Sequence, residues 1–478
     1  MVRERQDAAT RSQALRCAGA SAVVSWESRA CAQAEDAARA ELDQLRATIE
    51  RLDERLAKEF PAYAEIANPR PMTLDELQIL LGPDEAMLAY AVADDRTFIM
   101  VVRRDRADLF EAKVGAMQLR DAVAELRASL SPDDIRTPEQ LLEHGFPATQ
   151  AYTLYSKLFA PAEGILQGAR LVFVVPDDAL ESLPLGVLLT TEPQGSFTDF
   201  SGYAQAPWLA RKYATAVLPG ISSLKALRQF APSSHAEEAF RGIGNPTLGT
   251  PGTHRGLVLA QLFRGPLADE QALRELPSLP ETEGELEAMA ASQGTDDQSL
   301  LTGDKATETA VKGGALANAR VVAFATHAVV AGQITGLAEP GLVLTPPTQP
   351  SVLDDGLLTA REVARDVKLD ADWVVLSACD TAAPDGTPGA EGLSGLAKAF
   401  FYAGARALLV SHWAVESHAA VRLTTGAFAA LAAAPEIGRA EALRRSMLAM
   451  LDDKTHPFYA HPMFWAPFVL VGEGAATH

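Results

Sequence analysis

Short apolar runs alternate with longer amphipathic stretches from about residue 85 onward. AMLAYAV and TFIMVV read as two strands joined by the polar turn Ala93–Arg96, since runs of this length bounded by turn residues suit strands. MQLRDAVAELRASL and TPEQLLEHGFPATQAYTLYSKLFAP carry apolar positions at helical spacing. ARLVFVVPD and YATAVLP return to strand character, and SSLKALRQF is again helical. After a linker-like APSSHAEE, residues 231–238, the alternation resumes. FRGIGNP, ARVVAFATH, ADWVVLSAC, ARALLVSHW and FWAPFVLVG read as strands. PETEGELEAMAAS, ATETAVKGGALA, TAREVARDV and GLSGLAKAFFYAG read as helices between them. Thr359–Glu362 has the form of a capping box, and Gly404 stands where a helix stop is expected. Strands alternating with helices predict an α/β fold with a mostly parallel sheet covered on both faces.

The first 72 residues differ. Ala38, Leu42, Leu45, Ile49, Leu52 and Leu56 recur at alternating spacings of four and three, which predicts a coiled-coil-like helix over 35–60. About three heptads are marginal for a lone helix, so this one must pack on a partner helix or on the following domain; docking on its own chain is the first reading and a dimerising coiled coil the alternative. Residues 1–30 show no pattern and are expected to be disordered.

Composition narrows the class. A net charge of −20 argues against a duplex-binding protein, so no direct nucleic-acid binding is expected. Three cysteines, Cys17, Cys31 and Cys379, form no disulfide framework and suit a reducing compartment. No apolar run reaches membrane-spanning length, and the N-terminus lacks a long apolar signal core. The expected location is cytoplasmic, without membrane contact. No phosphate loop, HExxH or GxSxG elbow is present, so neither a metal nor a cofactor is expected.

Two strand ends hold the candidate chemistry. VVAFAT ends at His327 and WVVLSA ends at Cys379. In a parallel sheet, ligands bind beyond the carboxyl ends of the strands. If these two strands are neighbours, an imidazole and a thiol emerge on one rim. An imidazole can take the thiol proton, and the thiolate is the nucleophile. A cysteine at a strand end is otherwise simply a small buried residue. His412 suits a structural role within its strand, and His456 and His461 lack metal-ligand company.

The order of several segments is more specific. RLVFVVPDDALESLPLGVLL, WLARKYATAVLP, VVAFATHAVV, DDGLLTAREVARDVKLDADWVVLSACDT, GAEGLSGLAKAFFYAGARALLVSHWAV and HPMFWAPFVLVG together resemble the CHAT-domain family of caspase- and separase-like cysteine peptidases. The resemblance runs from about residue 75 to 472. It implies a caspase-like sheet in which a pseudo-peptidase half, residues 73–232, precedes a peptidase half, residues 233–474. It further implies His327 as general base, Cys379 as nucleophile, and a thioester intermediate. The oxyanion would be held by the backbone N–H of Cys379 and of Ala328, where the family usually has glycine. Asp380, Trp413 and Glu416 are the substrate-binding candidates, the two acids as receptors for a basic side chain. The expected partners are a protein substrate and a regulatory protein, in a bacterial-type endopeptidase. The alternative is a catalytically silent scaffold that binds protein partners.

Overall fold

The computed structural model describes residues 72–130, 137–230, 234–248, 263–264, 267–268, 273–329, 340–351, 353–377, 393–413 and 415–475, with Gln44, Ala47, Thr48 and Arg51. The chain divides into two units, Met1–Pro71 and Met72–His478. In the first, the four described residues are helical; the heptad positions and residues 1–30 lie outside the described residues.

The second unit is built on an 11-stranded sheet. Its strands are β1 (Glu85–Val92), β2 (Thr97–Val102), β3 (Ala107–Ala112), β4 (Leu171–Val175), β5 (Ala214–Val217), β6 (Glu238–Pro246), β9 (Leu300–Gly303), β10 (Ala319–Ala325), β14 (Trp373–Ser377), β15 (Ala407–Ser411) and β16 (Phe468–Gly472). A hairpin, β7 (Phe263–Arg264) with β8 (Leu267–Ala268), and a small antiparallel sheet, β11 (Ala328–Val329), β12 (Gly341–Val343) and β13 (Leu357–Thr359), lie outside it. The spatial order is β3-β2-β1-β4-β5-β16-β15-β14-β10-β6-β9. β1, β4, β5 and β16 are mutually parallel, as are β15, β14, β10, β6 and β9. The two sets run in opposite directions and meet at the antiparallel pair β15–β16. This is the mostly parallel, helix-covered α/β sheet that the alternation predicts.

Register explains why the central strands are apolar throughout. Val321 pairs with Trp373, and Phe324 with Leu376. Side chains alternate between faces, so Trp373 and Phe324 point to opposite sides. Trp373 meets Phe428 of the helix Ser417–Ala433, and Phe324 meets Phe400 of the helix Leu393–Ala403. Both faces are therefore covered, and the WVVL run of β14 is buried along its length.

The local signals hold in detail. Thr359 and Glu362 make the reciprocal capping box at the helix Ala360–Asp366. Gly404, φ 113°, follows the helix Leu393–Ala403, and a Cβ there would lie 2.0 Å from Leu369 O. The stretch read as one helix over 137–161 is two, Pro138–His144 and Ala148–Leu158, broken at Gly145–Pro147. ATETAVKGGALA forms only the short helix Glu308–Lys312, because the paired glycines favour the unfolded chain.

Candidate active site at the β10–β14 rim

β10 and β14 are adjacent and parallel, with Ala325 opposite Ser377. The two strand ends singled out in the sequence therefore share one rim. His327 lies two residues beyond Ala325 and is half-buried. Cys379 stands two positions after Ser377 in sequence and, with Asp380, lies outside the described residues.

His327 is held through its ring. Its Nε2 is 2.8 Å from Pro277 O, on the segment that precedes the helix Glu281–Ser292. A carbonyl only accepts, so a neutral imidazole carries its proton on Nε2 and presents Nδ1 as the basic nitrogen. Burial lowers the His327 pKa below the ordinary imidazole value, against the Pro277 carbonyl and the Glu281 carboxylate, which raise it. The ring is thus neutral at pH 7 and able to accept a proton. The backbone beside it is also fixed: Val343 N donates to His327 O at 2.9 Å, and Thr326 Oγ1 donates to Val343 O.

Ala328 opens β11, pairs with Leu342 and is partly exposed. Among the described residues only Asp178 and Asn245 take positive φ without being glycine. Ala328 therefore occupies ordinary backbone space, and no glycine is needed at that position.

Sequence reasoning missed an acid next to this rim. Trp373, Val375 and Ser377 share a face by strand alternation. On that face the Ser377 hydroxyl adjoins the carboxyl of Glu285, which projects from the helix Glu281–Ser292. Glu285 is only 4% exposed, and its Oε1 has no hydrogen-bond partner. Burial, reinforced by Glu281 and opposed by the Ser377 hydroxyl, pushes its pKa up to about 7. The helix sits close to the sheet because the GIGNP strand is bare: a Cβ at Gly244 would lie 2.4 Å from Ala325 O and 2.9 Å from a Leu286 methyl. Nothing in the sequence pattern separates Glu285 from the solvent-facing acids of the same helix.

The remaining candidates are placed as follows. Trp413 is 1% exposed, and its Nε1 donates to Met463 O at 2.9 Å, so its ring fills the core behind β15. Glu416 caps the helix Ser417–Ala433, accepting from His418 N at 3.0 Å and Ala419 N at 2.9 Å; His418 Nδ1 lies 2.7 Å from the same carboxylate. His412 is buried, and burial pushes its pKa down to about 3, so it stays uncharged. Among the described residues no cluster of His, Cys, Asp and Glu could hold a metal ion, and no helix is long and apolar enough to cross a membrane.

The CHAT domain family matches residues 149–473, more than half of the chain, and the protein belongs to that family. No curated protein matches it. Solved structures with a similar arrangement include the Saccharomyces cerevisiae separase–securin complex, at 11% identity and a TM-score of 0.46, covering 83% of this chain and 30% of the separase chain. The Arg-specific cysteine proteinase gingipain R matches at 11% identity and a TM-score of 0.36 over 75% of each chain. The complex of Porphyromonas gingivalis RgpB pro- and mature domains matches at 9% identity and a TM-score of 0.35, over 76% of this chain and 77% of that one. This chain thus spans under a third of the separase chain.

Proposed function

We propose that the protein is a cysteine endopeptidase in which His327 and Cys379 form the catalytic dyad. The observation that carries this reading is the register of β10 against β14, which brings Ala325 and Ser377 side by side two residues before each candidate. The neutral, oriented imidazole adds to it.

On this reading His327 Nδ1 takes the proton of the Cys379 thiol, and the thiolate attacks the scissile carbonyl carbon. The backbone N–H groups of Cys379 and Ala328 receive the charge that develops on oxygen. The C–N bond breaks as the imidazolium returns its proton to the leaving amine, leaving a thioester. Water, deprotonated by the same imidazole, attacks the thioester; the proton then passes to the departing sulfur and both groups are regenerated. Residues 73–232 buttress the peptidase half, residues 233–474. The substrate is a protein. A second protein regulates the cleavage, as separase and gingipain RgpB were each solved with a partner or pro-domain.

For substrate choice, Asp380 is the acid to test first as receptor for a basic side chain. Glu416 already spends its carboxylate on a helix cap and His418, and Trp413 is sealed in the core.

A peptide acyloxymethyl ketone panel, with basic, acidic or apolar residues before the warhead, tests the dyad. Covalent labelling should map to Cys379 and be abolished by Cys379→Ala. His327→Ala should slow it at least a hundredfold. Labelling that is insensitive to His327→Ala would leave the silent scaffold as the better reading.

A further inference from the structure

A cavity of about 340 Å³ opens at the other end of these strands, where β10 and β14 begin beneath the helices Ser417–Ala433 and Arg439–Leu451. One side is apolar, made by the ring of Trp373 with Phe428 and Leu431. The other side is cationic, made by Arg320 and Arg439 around Asp372.

The polar groups here are short of acceptors. The Arg439 side chain is 7% exposed, and among the described residues its one hydrogen bond runs from Nη2 to Asp372 Oδ1, at a long 3.3 Å. Arg320 takes the other oxygen of the same carboxylate, at 3.1 Å. Two guanidiniums therefore share one carboxylate, a local positive excess inside a chain of net charge −20. Burying a donor or a cation without a partner is costly. An anion seated against Arg439 and Arg320 would supply the acceptor that one shared carboxylate does not. The walls on the far side would be wasted on an inorganic ion but suit an apolar body, and the volume is that of a small-molecule site.

We propose that this cavity binds a small organic carboxylate carrying an apolar or aromatic body, its carboxylate received by Arg439 and Arg320 and its body laid against Trp373, Phe428 and Leu431. The site lies at the amino ends of the strands whose carboxyl ends form the β10–β14 rim. Its occupancy does not depend on whether Cys379 is a nucleophile.

The test is calorimetric titration of the full chain with indole-3-acetate, benzoate and octanoate, against indole-3-acetamide and inorganic phosphate. At least one carboxylate should bind, and the amide and phosphate at least tenfold more weakly. Leu431→Trp, which fills the cavity, should abolish binding. Arg439→Met, which removes the buried cation, should weaken it about tenfold. Far-UV circular dichroism on each variant verifies the fold, and the binding comparison uses those that retain it. Absence of binding by all three carboxylates would overturn the proposal. So would equal binding of the amide or phosphate, or unchanged affinity in both variants.

Discussion

Glu285 is a carboxyl group that the fold keeps protonated. Its pKa is pushed up to about 7 by burial, whereas an unfolded glutamate titrates near 4.5. Between those values the native chain holds a proton that the unfolded chain has released. Stability contributed by this group therefore falls as pH rises from about 4.5 to about 7, and levels off above. Glu285→Gln removes the titration while keeping the shape. In urea melts at pH 5 and pH 8, the parent should lose about 3 kcal/mol more than the variant between the two conditions; parallel losses would remove Glu285 as the titrating group. His327 shifts the other way. Because burial lowers its pKa, the acid limb of Cys379 labelling should fall below pH 6.5, and a limb at or above 6.5 would show the ring to be solvated in the working protein. His327 was legible as a candidate because an apolar run stops at it. Its orienting partner was not, because the Pro277 carbonyl is a backbone atom that every residue possesses. Glu285 was illegible for a related reason: its burial comes from how its helix packs in the fold, close against the Gly244 strand through Leu286, which no local pattern announces.

Among the elements, the long apolar runs declared themselves and the short ones did not. β1, β2, β4, β10, β14 and β15 follow the predicted runs closely. β3, with the sequence ADLFEA, was missed because two of its faces are half-wet and its alternation is weak. The small sheet β11–β12–β13 was missed because two- and three-residue strands carry no period. Stop signals fared better, since each rests on local sterics. Gly404 is the clearest: it combines φ 113° with a Cβ position 2.0 Å from Leu369 O. Gly404→Ala should destabilise the fold by about 3 kcal/mol, the cost of a left-handed alanine together with the displaced Leu369 backbone. Thr359→Ala, which removes only the capping oxygen, should cost about 1 kcal/mol. Chemical denaturation of both variants checks the ranking, and a Gly404→Ala cost no greater than that of Thr359→Ala would contradict the steric argument.

At the scale of the molecule, strand direction is what the sequence could not announce. FWAPFVLVG reads as another strand in the series, yet β16 runs antiparallel to β15 and parallel to β5. The last strand of the chain thus joins the set β1, β4 and β5 to the set β15, β14, β10, β6 and β9. One ion cluster reinforces that junction. Arg228, from the helix Ser223–Phe230, donates to both oxygens of Glu85 at 2.8 Å and to Glu473 at 2.8 and 3.1 Å. It also donates to Leu80 O and lies over the Phe173 ring, 5.4 Å from its centroid. Glu85 begins β1 and Glu473 follows β16, so a single guanidinium ties the first strand to the last. Its side chain is 18% exposed, and those of Glu85 and Glu473 are 5% and 16%. At such burial the three charges are stable only together, because removing one partner leaves the others desolvated and unpaired. Arg228→Met should therefore lower stability by about 4 kcal/mol, seen as a shift of the main unfolding transition, since the sheet is continuous through the junction. Adding Glu85→Gln and Glu473→Gln to that variant removes the two stranded carboxylates and should restore at least half of the loss. A loss of under 1 kcal/mol for Arg228→Met, or no recovery in the triple variant, would mean that packing of β16 between β5 and β15 holds the junction without the cluster.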